Sequence, residues 1–119
     1  MIWLVTNHKE TRASLVPLIV GKSYQLTEIE CGDEISKRLQ FISPRLAIID
    51  CGMPDSFDTL DTIRSEHRGR AIPIIMFCTA DEDLKEKALL QGADSYVSKG
   101  SLDWLEMLSE ISRLAGPGR

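Results

Sequence analysis

No apolar stretch in the chain approaches the roughly 20 residues that a membrane span requires. The first residues, "MIWLVTNHK", lack the basic leader, long apolar centre and small-residue cleavage site of an export signal. Both absences point to a cytoplasmic protein with no membrane partner. Basic clusters are missing as well: 14 Lys and Arg are spread evenly among 18 Asp and Glu, giving a net charge of -4. An electrostatic nucleic-acid surface needs such clusters, so direct binding of DNA or RNA is not expected. Cysteine is scarce. Cys31, Cys51 and Cys78 are odd in number, with neither CxxC spacing nor a histidine close in sequence. They read as reduced thiols, not as a disulfide framework or a zinc site. Nor does a glycine-rich loop follow the first apolar run, where "TNHKETR" offers no tight glycine turn and no phosphate cradle. That argues against an enzyme built around a flavin or nucleotide.

What is present is alternation. In 119 residues, 43% of them hydrophobic, there is material for one core and no room for a second domain. Short runs rich in Ile, Val, Leu and aromatics occur at 2–6, 24–30, 46–50, 72–79 and 95–99, and read as strands. Segments with helical spacing lie between and after them, at about 9–20, 34–42, 57–66, 82–91 and 102–114. Five strands alternating with five helices imply right-handed crossovers and a parallel sheet covered on both faces. Asp81 sits where the fourth helix needs an N-cap, and Gly92 where its C-terminus needs a residue of positive φ. Ser101 reads as the cap of the fifth helix, with Leu105, Leu108 and Ile111 stacked to one side. Pro17 falls inside the first helical pattern and predicts a kink or an early end. Residues 1–115 form the expected domain, and 116–119, "GPGR", a tail or the start of a linker.

Open parallel α/β sheets bind ligands beyond the carboxyl ends of their strands, and five-stranded doubly wound sheets commonly have the order 2-1-3-4-5. Here those ends carry Thr6-Asn7-His8, Asp50, Cys78-Thr79 and Ser98-Lys99. A carboxylate, a hydroxyl and an ammonium therefore converge on one shallow crevice. A carboxylate can act as a nucleophile towards phosphorus, and a lysine with a hydroxyl can hold phosphoryl oxygens. The set suits an acyl phosphate.

Three motifs, in order and at suitable spacing, now carry a resemblance: "AIIDCGMP", "IPIIMFCTA" and "QGADSYVSKG". The chain resembles, over essentially its whole length, the CheY-like receiver domains of two-component response regulators. The resemblance implies a flavodoxin-like (βα)5 sandwich with sheet order 2-1-3-4-5. It implies that Asp50 takes a phosphoryl group from a histidine kinase or phosphotransfer protein, and that Thr79 and Lys99 contact that group. Tyr96 would be the aromatic switch that reports it to a downstream protein or effector domain through the face of helix 4, strand 5 and helix 5. Catalysis would extend at most to Mg²⁺-dependent self-phosphorylation from a phosphohistidine donor.

The resemblance breaks at the metal site. Receiver domains normally end their first strand in two acids that hold Mg²⁺ together with the phospho-acceptor. Counted back from Arg12, those positions hold Thr6 and Asn7, and Glu10 is one helical turn further on. Mg²⁺ favours anionic oxygen ligands, so Asp50 is expected to bind it weakly. An alternative function follows: a pseudo-receiver that binds partners independently of phosphorylation. Gly100 also stands after the lysine, where the family usually has a cis-forming proline.

Overall fold

Ile2 and Leu4 of the first strand, β1 (Ile2–Val5), join one apolar cluster, while Trp3 and Val5 join another, and all four are buried. Successive strand side chains point to opposite faces, so a strand apolar at every position must be covered on both sides. In the computed structural model, which describes residues 1–30, 32–66, 69–100 and 104–118, it is. The other strands are β2 (Leu26–Ile29), β3 (Leu46–Asp50), β4 (Ile74–Cys78) and β5 (Ser95–Ser98), all parallel, in the order β2-β1-β3-β4-β5. The helices are α1 (Lys9–Gly21), α2 (Ile35–Leu39), α3 (Ser56–Ser65), α4 (Glu82–Leu90) and α5 (Leu105–Ala115). The fold is therefore the expected flavodoxin-like doubly wound sandwich.

The two cores are segregated by helix. Leu15 and Ile19 of α1 and Met107 and Ile111 of α5 meet Ile2, Leu4, Ile48, Phe77 and Val97. Ile35 and Leu39 of α2, Leu60 and Ile63 of α3 and Ala88 of α4 meet Trp3, Val5, Ile49 and Met76. Full burial of a Leu or Ile contributes about 1.5–3 kcal/mol, so either face left uncovered would cost the domain its stability. At α4, the Asp81 carboxylate accepts from the amides of Asp83 and Leu84, and Gly92 follows the helix at φ 109°. The amides of Gly92 and Ala93 close the helix on the carbonyls of Leu89 and Ala88.

Several expectations are corrected. Pro17 does not end α1, which continues to Gly21. Pro17 lies on the exposed side between buried Leu15 and Ile19, so water can serve the carbonyl that its missing N–H leaves open. α2 stops at Leu39 after a 3-10 turn at Gly32–Glu34, short of the expected 42. Pro44 disfavours helix at the residue before it, and Phe41 and Ile42 are exposed. On α5 the buried stripe is Met107, Ile111 and Ala115, and Leu105 is 68% exposed. The expected Ser101 cap lies outside the described residues, as does Cys31.

The cysteines are corrected too. Cys51 and Cys78 are joined as a disulfide, with Cα atoms 4.9 Å apart. Their separation of 27 residues hid this from any spacing rule. It follows from register: Asp50 is opposite Phe77 in the ladder, so the next residues, Cys51 and Cys78, are opposite each other. The tail also has a contact, since the Tyr24 hydroxyl donates to the Gly116 carbonyl. Among the described residues no helix is long and apolar enough to cross a membrane.

Candidate functional site

Asp50 ends β3 on the face covered by α1 and α5, because Leu46 and Ile48 of the same strand face that core. Its residue is fully buried. A buried carboxylate is costly unless it is paired and hydrogen-bonded, and here four donors from separate segments meet it. The Thr6 hydroxyl, one residue past β1, donates to Oδ2 at 2.7 Å, and the Thr11 hydroxyl, in the first turn of α1, donates to the same oxygen at 2.8 Å. The Gly52 amide donates to Oδ1 at 2.8 Å. The Lys99 ammonium, one residue past β5, forms an ion pair with Oδ1.

Two of the donors are themselves held. Thr6 is buried, and its hydroxyl accepts from the His8 amide at 3.0 Å, which leaves its proton for Asp50. The backbone amide of Lys99 donates to the Cys78 carbonyl, and its ammonium stands 5.5 Å from the centre of the Phe77 ring. Gly52 has a steric role: a Cβ there would come within 3.1 Å of Asp50 Oδ1 and 3.2 Å of Lys99 Nζ. Gly100 adopts φ 83°, a left-handed conformation that glycine accepts without strain. Burial pushes the Asp50 pKa up, but the bonds from Lys99, Thr6, Gly52 and Thr11 outweigh it and hold the carboxyl below its ordinary value.

Asp50, Lys99 and Thr6 are thus brought together, and two positions expected beside them are not. Thr79 is exposed, one residue beyond β4, and is not among the four donors. Asn7 is exposed as well, so the two positions read as a degenerate metal pair diverge: Thr6 binds the carboxylate and Asn7 faces outward. Tyr96 is buried on the opposite face, in the cluster of Met53, Met76 and Cys78. Its hydroxyl donates to the Thr79 carbonyl. Burial, and then the nearby charge of Asp81, raise its pKa above the ordinary tyrosine value. Thr11 and Gly52 escaped the sequence reading. The signal for Thr11 was its place in the first turn of a helix that begins at the strand ends. A cleft of about 250 Å³ opens beside the carboxylate, with Glu10, Thr11, Phe77, Lys99 and Trp104 in its wall.

The family model described as "Response regulator receiver domain" matches residues 2–111. The chain is 31% identical over 116 residues to the transcriptional regulatory protein GltR of Pseudomonas aeruginosa, covering 95% of this chain and 48% of that protein. It is 29% identical over 101 residues to hybrid signal transduction histidine kinase D of Dictyostelium discoideum, covering 82% of this chain and 6% of that protein. The chain therefore spans less than half the length of either relative. A crystal structure similar in fold is the receiver domain of a Pseudomonas aeruginosa PAO1 sensor histidine kinase, with a magnesium ion in its active-site cleft. Its TM-score is 0.78 at 18% identity, and the match covers 97% of both chains.

The donors around Asp50 do not fit such an ion. Both carboxylate oxygens already accept two bonds each, one of them from an ammonium. Thr6 and Thr11 point protons, not lone pairs, at the carboxylate. Among the described residues no group of three or more His, Cys, Asp and Glu is placed to hold a metal. Magnesium asks for six oxygens in near-octahedral array, normally with carboxylates among them.

Proposed function

The chain belongs to the response regulator receiver domain family, the signal-receiving module of two-component systems, and from that premise we propose that Asp50 is its phospho-acceptor. The observation that carries the reading is the ion pair of a fully buried strand-end carboxylate with Lys99. An Asp50 oxygen attacks the phosphorus of a phosphohistidine, the P–N bond breaks, and the departing imidazole nitrogen takes up a proton. Lys99 is released from the carboxylate as the acyl phosphate forms and turns to the phosphoryl oxygens. The Thr79 hydroxyl, exposed at the end of the adjacent strand, closes on the same group. Tyr96, bonded to the Thr79 carbonyl, follows that movement and alters the α4-β5-α5 face, where a groove of about 190 Å³ lies between Asp81, Lys85, Tyr96 and Glu106. The donor is a histidine kinase or phosphotransfer protein, and the reader is a downstream protein or effector domain at that face. The chain works in the cytoplasm, residues 1–115 act as the receiver, and 116–119 are a tail or the start of a linker. Mg²⁺ binding is weak, because Thr6 and Asn7 replace the acids that would assist Asp50.

Intact-protein mass spectrometry after incubation with acetyl phosphate tests this, in Mg²⁺ and in chelator. A phosphoryl mass gain that Asp50→Asn abolishes supports the reading. A gain that persists in Asp50→Asn overturns it by placing the phosphoryl group on another residue; none in either condition overturns it and favours partner binding independent of phosphorylation.

A further inference from the structure

The reverse side of the acceptor strand carries a second pair of reactive groups. Cys51 follows Asp50 directly and, by alternation, faces the opposite core, where it meets Cys78 of β4. The Cα separation of 4.9 Å lies within the range a disulfide spans. Cys51 is partly exposed, whereas Cys78 is fully buried. The backbone on each side of this pair supports a donor to Asp50. Cys51 precedes Gly52, whose amide holds Oδ1, and the Cys78 carbonyl accepts the backbone amide of Lys99, whose ammonium holds the same oxygen. The Cys51 amide in turn donates to the Phe77 carbonyl at 3.0 Å.

We infer that Cys51 and Cys78 are a reversible redox modification site whose disulfide clamps both Oδ1 donors onto Asp50 and slows its phosphorylation. The oxidant is a peroxide. It attacks the thiol it can reach: Cys51 sulfur displaces one oxygen of the O–O bond, giving the sulfenic acid Cys51–SOH and water. The Cys78 sulfur then attacks that sulfur, and hydroxide leaves with the thiol proton as a second water. Two thiols lose two electrons and two protons, and the peroxide is reduced to water. A thiol reductant reverses the step by disulfide exchange. In a reducing compartment the dithiol is the resting form, and cytosolic disulfides are typically transient and sensory. Phosphorylating Asp50 requires its oxygens to shed donors, and a covalent tie between the two supporting strands opposes that. The bridge stands on geometry alone, while its effect on phosphorylation rests on the acceptor reading above.

The whole chain is treated with hydrogen peroxide or with a thiol reductant, then analysed by intact mass and peptide mapping without further reduction. Expected is the loss of two hydrogens, located in a peptide pair joining Cys51 to Cys78. It should be retained in Cys31→Ser and abolished in Cys51→Ser, with Cys78→Ala as a second variant should the first fold poorly. Hydrogen exchange at the Gly52 and Lys99 amides should be slower by about tenfold in the bridged form, and acetyl phosphate labelling should fall by a similar factor. A bridge that uses Cys31, or peroxide treatment that yields only sulfinic or sulfonic acid, overturns the site. A correct bridge with unchanged exchange at both amides overturns the clamp. If neither redox form is labelled, the acceptor reading fails while the bridge and the exchange rates still decide this one.

Discussion

On the face covered by α1 and α5, Asp50 gathers two hydroxyls, one amide and one ammonium, whereas one residue later, on the face covered by α3 and α4, Cys51 meets Cys78 in an apolar cluster with Met53 and Tyr96. A single step of strand alternation separates charge from sulfur. The two environments are stabilised differently. A buried anion must have its donors in place before it is tolerable, and among the described residues no buried side-chain nitrogen or oxygen lacks a partner. The thiol face relies on burial, with one Tyr96 hydrogen bond at its edge. Variants on the charged face should therefore cost more than variants on the other, and should be coupled to one another.

The largest effect is expected from Lys99→Met, which keeps the aliphatic stem and removes the ammonium. Breaking a buried ion pair on one side costs about 3–5 kcal/mol. With the Lys99 side chain 26% exposed, water partly replaces it, so about 2–3 kcal/mol should be lost in urea unfolding at neutral pH. Thr6→Val comes next. It preserves shape but deletes the 2.7 Å bond to Oδ2, worth about 1.5–3 kcal/mol for a charged acceptor. Both variants remove donors from one carboxylate, so the double variant should lose less than the two losses added. Additive losses would mean that Asp50 is not their shared partner.

Acid should expose the same asymmetry with a smaller amplitude. The unfolded Asp50 carboxylate takes its proton near pH 3.9, while the folded one, held lower by its four donors, is still ionised there. Its contribution is complete above that pH and is lost as the pH falls towards the native value. Asp50→Asn should therefore flatten the stability profile below about pH 4. An unchanged acid limb would show that the carboxylate is not held low.

Much of this division could be read from residue order. The five apolar runs, their alternation with helices and the strand-end positions of Asp50 and Lys99 require only periodicity, and the resemblance supplied Tyr96. Register could not be read. It brings Cys51 to Cys78 across 27 residues, and no local pattern encodes it. Depth along a helix was equally hidden: Thr11 contacts Asp50 through the placement of α1 over the sheet edge, and Leu105 faces water because α5 turns Met107 and Ile111 inward. Thr6 was read only as a degenerate metal-site position. It occupies the place of a metal-binding acid, yet its hydroxyl donates where an acid would have shared a cation.

The smallest expected effect, Tyr96→Phe, asks whether the two faces are independent. The Tyr96 hydroxyl donates to the carbonyl of Thr79, an exposed residue. Water can take the place of the lost donor, so the cost should lie near the lower end of the usual range, about 0.5–1 kcal/mol. The ring stays in its cluster with Met53, Met76 and Cys78. If the faces are separate while Asp50 carries no phosphoryl group, this loss should add to that of Thr6→Val within about 0.5 kcal/mol. Thr79 is one residue through which they could communicate, since its carbonyl holds Tyr96 and it follows Cys78 at the end of the strand next to that of Asp50. A coupling above that margin would place Thr79 in contact with the acceptor before any phosphoryl group arrives. In the structure Thr79 is exposed and is not among the four donors to Asp50.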